Sequence, residues 1–192
     1  NDYGVFVQGR STKIYNALKA RIDLNHQEPA NKEIEELVLA GESERLEFKS
    51  TLRYDLRTHQ VNKKLEYVIA KTIAAFLNSE GGNLLIGLDD ESNAIGLNND
   101  IQTLSKMNID GFELQLIGVI TKHIGVQYSH HIKINFPNFD GQQICRVQIS
   151  KSSDAVFTKS EGKQDFFVRT GCSSQPLGRE EQSAYEKKHW NR

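Results

Sequence analysis

One short stretch, Leu84-Leu85-Ile86-Gly87-Leu88, limits the fold more than any other. A continuous apolar run of this length, bounded by turn residues, is the pattern of a strand covered on both faces. Its sheet therefore needs packed helices around it. The chain supplies a strong one directly upstream. Asn62 is placed to cap it, and Leu65, Val68, Ile69, Thr72, Ile73, Phe76 and Leu77 recur on one helical face. Gly81-Gly82 stops that helix, because glycine tolerates the left-handed conformation of a C-terminal cap. After the apolar run, Asp89-Asp90-Glu91-Ser92-Asn93 reads as a turn, and Ala94-Ile95-Gly96-Leu97 as a short strand returning in a hairpin.

The remaining pattern is mixed. Two helices are expected at 12–25 and 31–40, the second capped by Asn31, and a strand at 44–51. Asp110 with Glu113 opens a further helix whose shared face holds Phe112, Leu116, Val119, Ile120 and His123. Tyr128, His130, Ile132, Ile134 and Phe136 alternate as a strand. Asp140-Gly141 turns the chain, and Cys145, Val147 and Ile149 alternate on the return. Two short strands at Val156-Phe157 and Phe166–Arg169 precede a last helix from about 178 to 190. Hairpins and isolated helices without a strict βαβ alternation predict an α+β fold, a mixed β-sheet with packed helices. Residues 1–40 are expected to be a helical linker or docking segment, and 41–192 the domain proper.

At 192 residues, with 38% hydrophobic and 26% charged side chains, the chain fits one soluble domain. No apolar run approaches the ~20 residues that span a bilayer, so a membrane is not an expected partner. No secretory leader is read. Cys145 and Cys172 stand far apart and form no zinc-ligand spacing, and a reducing cytoplasm is the expected compartment. The first residue is Asn, so a fragment of a longer protein, fused to other domains, is expected.

A net charge of −1 gives no global nucleic-acid signal, but the distribution is uneven. Between 45 and 64, Arg45, Lys49, Arg53, Arg57, Lys63 and Lys64 outnumber Glu47 and Asp55. Between 80 and 100, Glu80, Asp89, Asp90, Glu91 and Asp100 have no basic company. The pattern suits a polyanion bound through a metal, and equally suits two solvated surfaces of opposite sign.

The stretch Glu42-Ser43-Glu44-Arg45-Leu46-Glu47-Phe48-Lys49 carries the chemistry. Read as a strand, it sends Leu46 and Phe48 into a core and sets Glu47 and Lys49 on the other face, with Arg45 beside them. Two carboxylates and an ammonium at a strand edge can serve a metal-dependent phosphodiesterase, the carboxylates holding a hard cation and the lysine steadying a phosphate. A solvated Glu-x-Lys pair reads the same way. A third ligand would come from Asp89 or Asp90, provided the two strands are neighbours; Asp in a turn needs no such role.

Other features are weaker. Gly81-Gly82 follows a helix instead of opening one, so it is no phosphate loop. His130 and His131, read on a strand, point to opposite faces and cannot share a metal. Cys172 lacks an evident partner base. Tyr54, Tyr67, Phe166, Phe167 and Trp190 could stack on bases, but at such spacings they read as core, with Tyr54 the exception.

Three blocks in order resemble the Schlafen-type, AlbA-like family, long labelled DNA-binding. They are Glu-Ser-x-x-Leu-Glu-Phe-Lys at 42–49, the helix end Ala74–Gly82 running into Leu84–Asp90 with Ile95-Gly96-Leu97, and Phe166-Phe167-Val168-Arg169-Thr170-Gly171. The resemblance covers about residues 40–190. It implies a mixed α/β lobe. It also implies metal-dependent endoribonuclease activity on structured RNA such as transfer RNA, as an effector in bacterial defence or stress response, with RNA favoured over DNA. Glu42, Glu47 and Asp90 match the three acids that would hold Mg²⁺ or Mn²⁺, with Asp90 a better match than Asp89, and Lys49 matches the lysine that follows. Arg45, Arg53, Lys63 and Lys64 would hold the backbone. The zinc site of animal Schlafens has no counterpart here, and a homodimer could replace their second lobe. The alternative is a non-catalytic DNA- or RNA-binding module of a regulatory protein.

Overall fold

The computed structural model describes residues 31–190; the helix expected at 12–25 lies outside them. In chain order the elements are α1 (31–40), β1 (Leu46–Lys49), β2 (Tyr54–Asp55), β3 (Gln60–Val61), α2 (Lys63–Leu77), β4 (Gly82–Ile86), α3 (Asn98–Ile101) and α4 (Ile109–His123). A 3-10 helix (Val126–His131) leads to β5 (Ile132–Asn135), β6 (Asn138–Phe139), β7 (Gln142–Gln143) and β8 (Cys145–Ile149). The chain then forms β9 (Phe157–Ser160), β10 (Lys163–Thr170), β11 (Ser173–Pro176) and α5 (Arg179–His189). The fold is α+β. A four-stranded sheet has the order β1-β4-β8-β5, and a three-stranded antiparallel sheet has the order β11-β10-β9.

The apolar run occupies the centre of the larger sheet. Leu84, Leu85, Ile86 and Leu88 are all fully buried. The two faces of β4 feed two separate cores, as alternation requires. Leu84 and Ile86 join Val147, Cys145 and the inner faces of α2 and α4. Leu85 and Leu88 join Leu46, Phe48 and Ile144, closed over by Ile34 and Val38 of α1. Strand β1 runs parallel to β4, with Glu47 opposite Leu84 and Lys49 opposite Ile86. Helix α2 is the crossover between them, so the two chemistry-bearing stretches are spatial neighbours.

Asn62 caps α2 through a hydrogen bond from the Lys64 N–H at 3.1 Å. At the other end Asn78 does more than stop the helix. Its Nδ2 donates to the carbonyls of Val156 (2.8 Å) and Phe167 (2.9 Å), and its Oδ1 accepts from Val156 N–H. Ser79 Oγ accepts from the Arg169 N–H at 2.9 Å. The smaller sheet is thereby sewn to the end of α2. Gly82 completes the joint, because a Cβ there would lie 2.5 Å from the Phe76 ring and 2.6 Å from the Arg45 carbonyl. Substituting Gly82→Ala should cost about 2 kcal/mol through overpacking. A thermal midpoint lowered by about 5 °C in differential scanning calorimetry checks this.

Several expectations need correcting. The segment at 94–97 does not form a strand; Ala94 makes one isolated bridge to Leu88, and the N–H groups of Ile95 and Gly96 both donate to the Gly87 carbonyl. Helix α4 is capped by Asn108, whose Oδ1 accepts from the Gly111 N–H at 2.9 Å, so Asp110 lies inside the first turn. Tyr128 to His131 lie on the 3-10 helix, and only Ile132 onward is strand. β11 went unread because Ser173–Pro176 carries no apolar alternation.

Candidate functional site

Glu42 sits at the exposed entrance to β1 and turns back over it, its Oε1 accepting the Phe48 N–H at 2.7 Å. Glu47 leans the other way, toward the layer formed by α2 and β10. Lys49 Nζ donates to Glu47 Oε1 and to the Phe48 carbonyl at 2.7 Å. Glu47 Oε2 accepts from Arg169 at 2.7 Å. The Arg169 side chain is fully buried. It also donates to the Ser43 carbonyl (2.8 Å) and Ser174 Oγ (3.2 Å), and its guanidinium lies 4.7 Å from the Phe76 ring centroid. Glu47 is therefore the link between β1 and the smaller sheet, and both its oxygens carry a cation.

Asp89 and Asp90 follow β4 into its turn, on the strand beside β1. Asp89 organises that turn. Its Oδ1 accepts from the N–H groups of Asn93 (2.7 Å) and Glu91 (3.0 Å), and its Oδ2 from Asn93 Nδ2 at 3.0 Å. The Asn93 side-chain and backbone donors hold its carboxyl below the usual aspartate range. Asp90 is exposed at the turn's tip. Among the described residues no group of three His, Cys, Asp or Glu side chains is arranged to hold a metal ion. Glu47 offers no free oxygen as it stands, so a divalent cation there would have to displace Lys49 or Arg169. The acids do not fit a metal in this arrangement, and no chemical step is routed through one.

The basic residues separate into different roles. Arg53 pairs with Glu66 at 3.2 Å, both largely buried, and so serves the core edge. Arg45 is exposed and lines a cleft of about 400 Å³ with Glu80, His130, His131 and Lys133. There the two histidine rings lie 4.0 Å apart, side by side and not on opposite faces, because the 3-10 turn replaces the expected strand. Burial, then the neighbouring His130, lowers the His131 pKa. Lys63 and Lys64 are exposed on the first turn of α2. Tyr54 is half-buried and faces His59 at 6.4 Å, whereas Phe166 and Phe167 are core.

The acids of 80–100 are likewise no single cluster. Glu80 bonds Lys151 at 3.0 Å, which lowers its pKa. Asp100 is fully buried and accepts three successive backbone N–H groups, from Leu52 (2.7 Å), Arg53 (2.8 Å) and Tyr54 (2.8 Å). Burial pushes its carboxyl up against the opposing pull of those donors. Arg169 and Asp100, like Asn78 and Ser79, are polar residues whose roles no local pattern discloses. Arg169 stood in a quoted motif, whereas Asp100 carried no local signal.

The family described as Schlafen, AlbA_2 matches residues 42–178. Among solved structures, the DIP2311 protein from Corynebacterium diphtheriae is similar with a TM-score of 0.50 at 18% identity, over 76% of this chain and 28% of that one. The chain thus spans about 28% of the length of that protein. The N-terminal domain of a RecG-related protein from Nitrosomonas europaea gives a TM-score of 0.47 at 20% identity, over 78% of this chain and 93% of that domain. No curated protein matches the chain.

Proposed function

Because the chain belongs to the Schlafen AlbA_2 family, we propose that it is a nucleic-acid-binding domain that grips the sugar–phosphate backbone. The observation that carries this reading is the exposed Lys63-Lys64 pair on the first turn of the capped, 15-residue α2. A helix N-terminus carries positive potential, and two ammonium groups there add a mobile counter-charge to phosphate. A chain of net charge −1 then binds through local charge, not through its overall field. Affinity should fall steeply with salt, with a log–log slope near −0.7 for each phosphate contacted on a single strand. Fluorescence anisotropy of labelled RNA and DNA oligonucleotides across a salt series measures it. Absence of binding at low salt overturns the reading.

The finer reading is a metal-dependent endoribonuclease acting on structured RNA such as transfer RNA, with Glu42, Glu47 and Asp90 as the acids and Lys49 as the assisting cation; it requires Glu47 to exchange Lys49 or Arg169 for the metal. It is supported by the parallel pairing of β1 with β4, which makes the strand bearing Glu42 and Glu47 a neighbour of the one leading into Asp90. Incubating the protein with end-labelled transfer RNA and Mn²⁺ separates the two readings. Discrete fragments that vanish in Asp90→Asn support cleavage; bound, intact RNA supports the binding domain alone.

A further inference from the structure

A second groove lies away from the acids. It encloses about 760 Å³ between the first turn of α2, the last turn of α4 and the β9–β10 hairpin. Five lysines line it, Lys63, Lys64, Lys122, Lys159 and Lys163, against a single carboxylate, Glu161. Each of the five is exposed, and none forms an ion pair among the described residues. Ammonium groups gathered in a concave surface focus positive potential and draw in a polyanion.

The groove's walls are fixed to each other. Tyr67 of α2 hydrogen-bonds Thr158 Oγ1 (3.1 Å) and Asp165 Oδ2 (3.0 Å), on the two strands of the hairpin. From α4, His123 Nδ1 donates to the Lys159 carbonyl at 2.7 Å, and its ring packs edge-on to Tyr67 with centroids 5.4 Å apart. The hairpin turns through Glu161 and Gly162 at φ 48° and 77°, the double left-handed geometry of a tight two-residue connection. These contacts hold lysines from three elements around one space without ligand, so little ordering is left for binding to supply.

We propose that this groove is the track for the nucleic-acid backbone, with Lys159 and Lys163 of the hairpin facing Lys63, Lys64 and Lys122 of the helices across the bound strand. It rests on the nucleic-acid reading above and adds the groove and its far wall. The ligand class is a run of phosphodiesters, recognised by charge and not by base sequence.

The test compares the double variant Lys159→Gln/Lys163→Gln with wild type, using a fluorescein-labelled single-stranded oligoribonucleotide in anisotropy titrations across a salt series. Both lysines are exposed on the hairpin, and circular dichroism verifies that the fold is kept. Affinity should fall on the order of tenfold at low salt, and the log–log salt slope should flatten by roughly 1.4, two contacts' worth. The control Lys106→Gln removes an exposed lysine that is paired with Asp110 and lies outside the groove; it should leave both quantities unchanged. Wild type that binds RNA while the double variant binds with the same affinity and slope overturns the groove and leaves the nucleic-acid function standing. Wild type that binds no RNA or DNA overturns both.

Discussion

Glu47→Ala should lower the stability of the domain by about 3 kcal/mol in urea denaturation, at the lower end of what breaking a buried ion pair costs. The reason is what remains. The Arg169 side chain is fully buried, and its guanidinium would be left there without a counter-charge. Without Glu47 its partners would be neutral: the Ser43 carbonyl, Ser174 Oγ and the Phe76 ring. Removing both charges in Glu47→Ala/Arg169→Met should recover part of the loss, because two apolar side chains need no ionic partner. A double-mutant cycle with coupling near zero would dismiss the pair as a structural link. The same variants report on catalysis. If Glu47→Ala kept wild-type stability and lost only cleavage of transfer RNA, Glu47 would be a reacting group and not a clamp.

Asp100→Ala should have a larger effect, about 4 kcal/mol. Three backbone N–H groups lose their acceptor together, that of Leu52 buried and those of Arg53 and Tyr54 partly so, and an orphaned buried donor costs about 1–3 kcal/mol before water and relaxation recover some of it. Asp100→Asn should cost about half as much. Its carbonyl can still serve the pair on Oδ1, but an NH₂ group would then meet the Leu52 N–H where Oδ2 now accepts it. Amide hydrogen exchange gives a local readout, since these amides should lose protection in Asp100→Ala before the rest of the domain does. Retained protection with a loss under about 1 kcal/mol would show that another acceptor takes over.

What the sequence disclosed and what it hid divide along contact range. Helix α2, its Asn62 cap and the doubly buried β4 were legible because a 3.6-residue period, a capping side chain and an apolar run are local signals. So was the buried face of α4, Phe112 to His123. The expected strand at 128–131 misled because Tyr128, His130 and Ile132 alternate in sequence while the backbone coils as a 3-10 turn before β5 begins. The site was legible only as an inventory. Its pattern offered Glu47 and Lys49 as a pair, but the partner that decides Glu47's role, Arg169, is 122 residues away. Asp100 reaches 46 to 48 residues back to its donors. The lysine groove escaped for the same reason. Lys63 and Lys64 were visible as a basic pair, but Lys122, Lys159 and Lys163 join them only when α4 and the hairpin fold against α2.

The order β1-β4-β8-β5 leaves β5 with a hydrogen-bonded neighbour on one side only among the described residues. Such a rim is a template on which another chain can add a strand and begin to aggregate. Lys133 and Asn135 are exposed along it, alternating with the half-buried Ile132 and Ile134. An ammonium in the middle of a four-residue rim repels a second copy of itself and makes in-register stacking of like chains costly. A charge in mid-strand makes this rim a poor template, and the shortness of the strand leaves little for an intruding strand to grip.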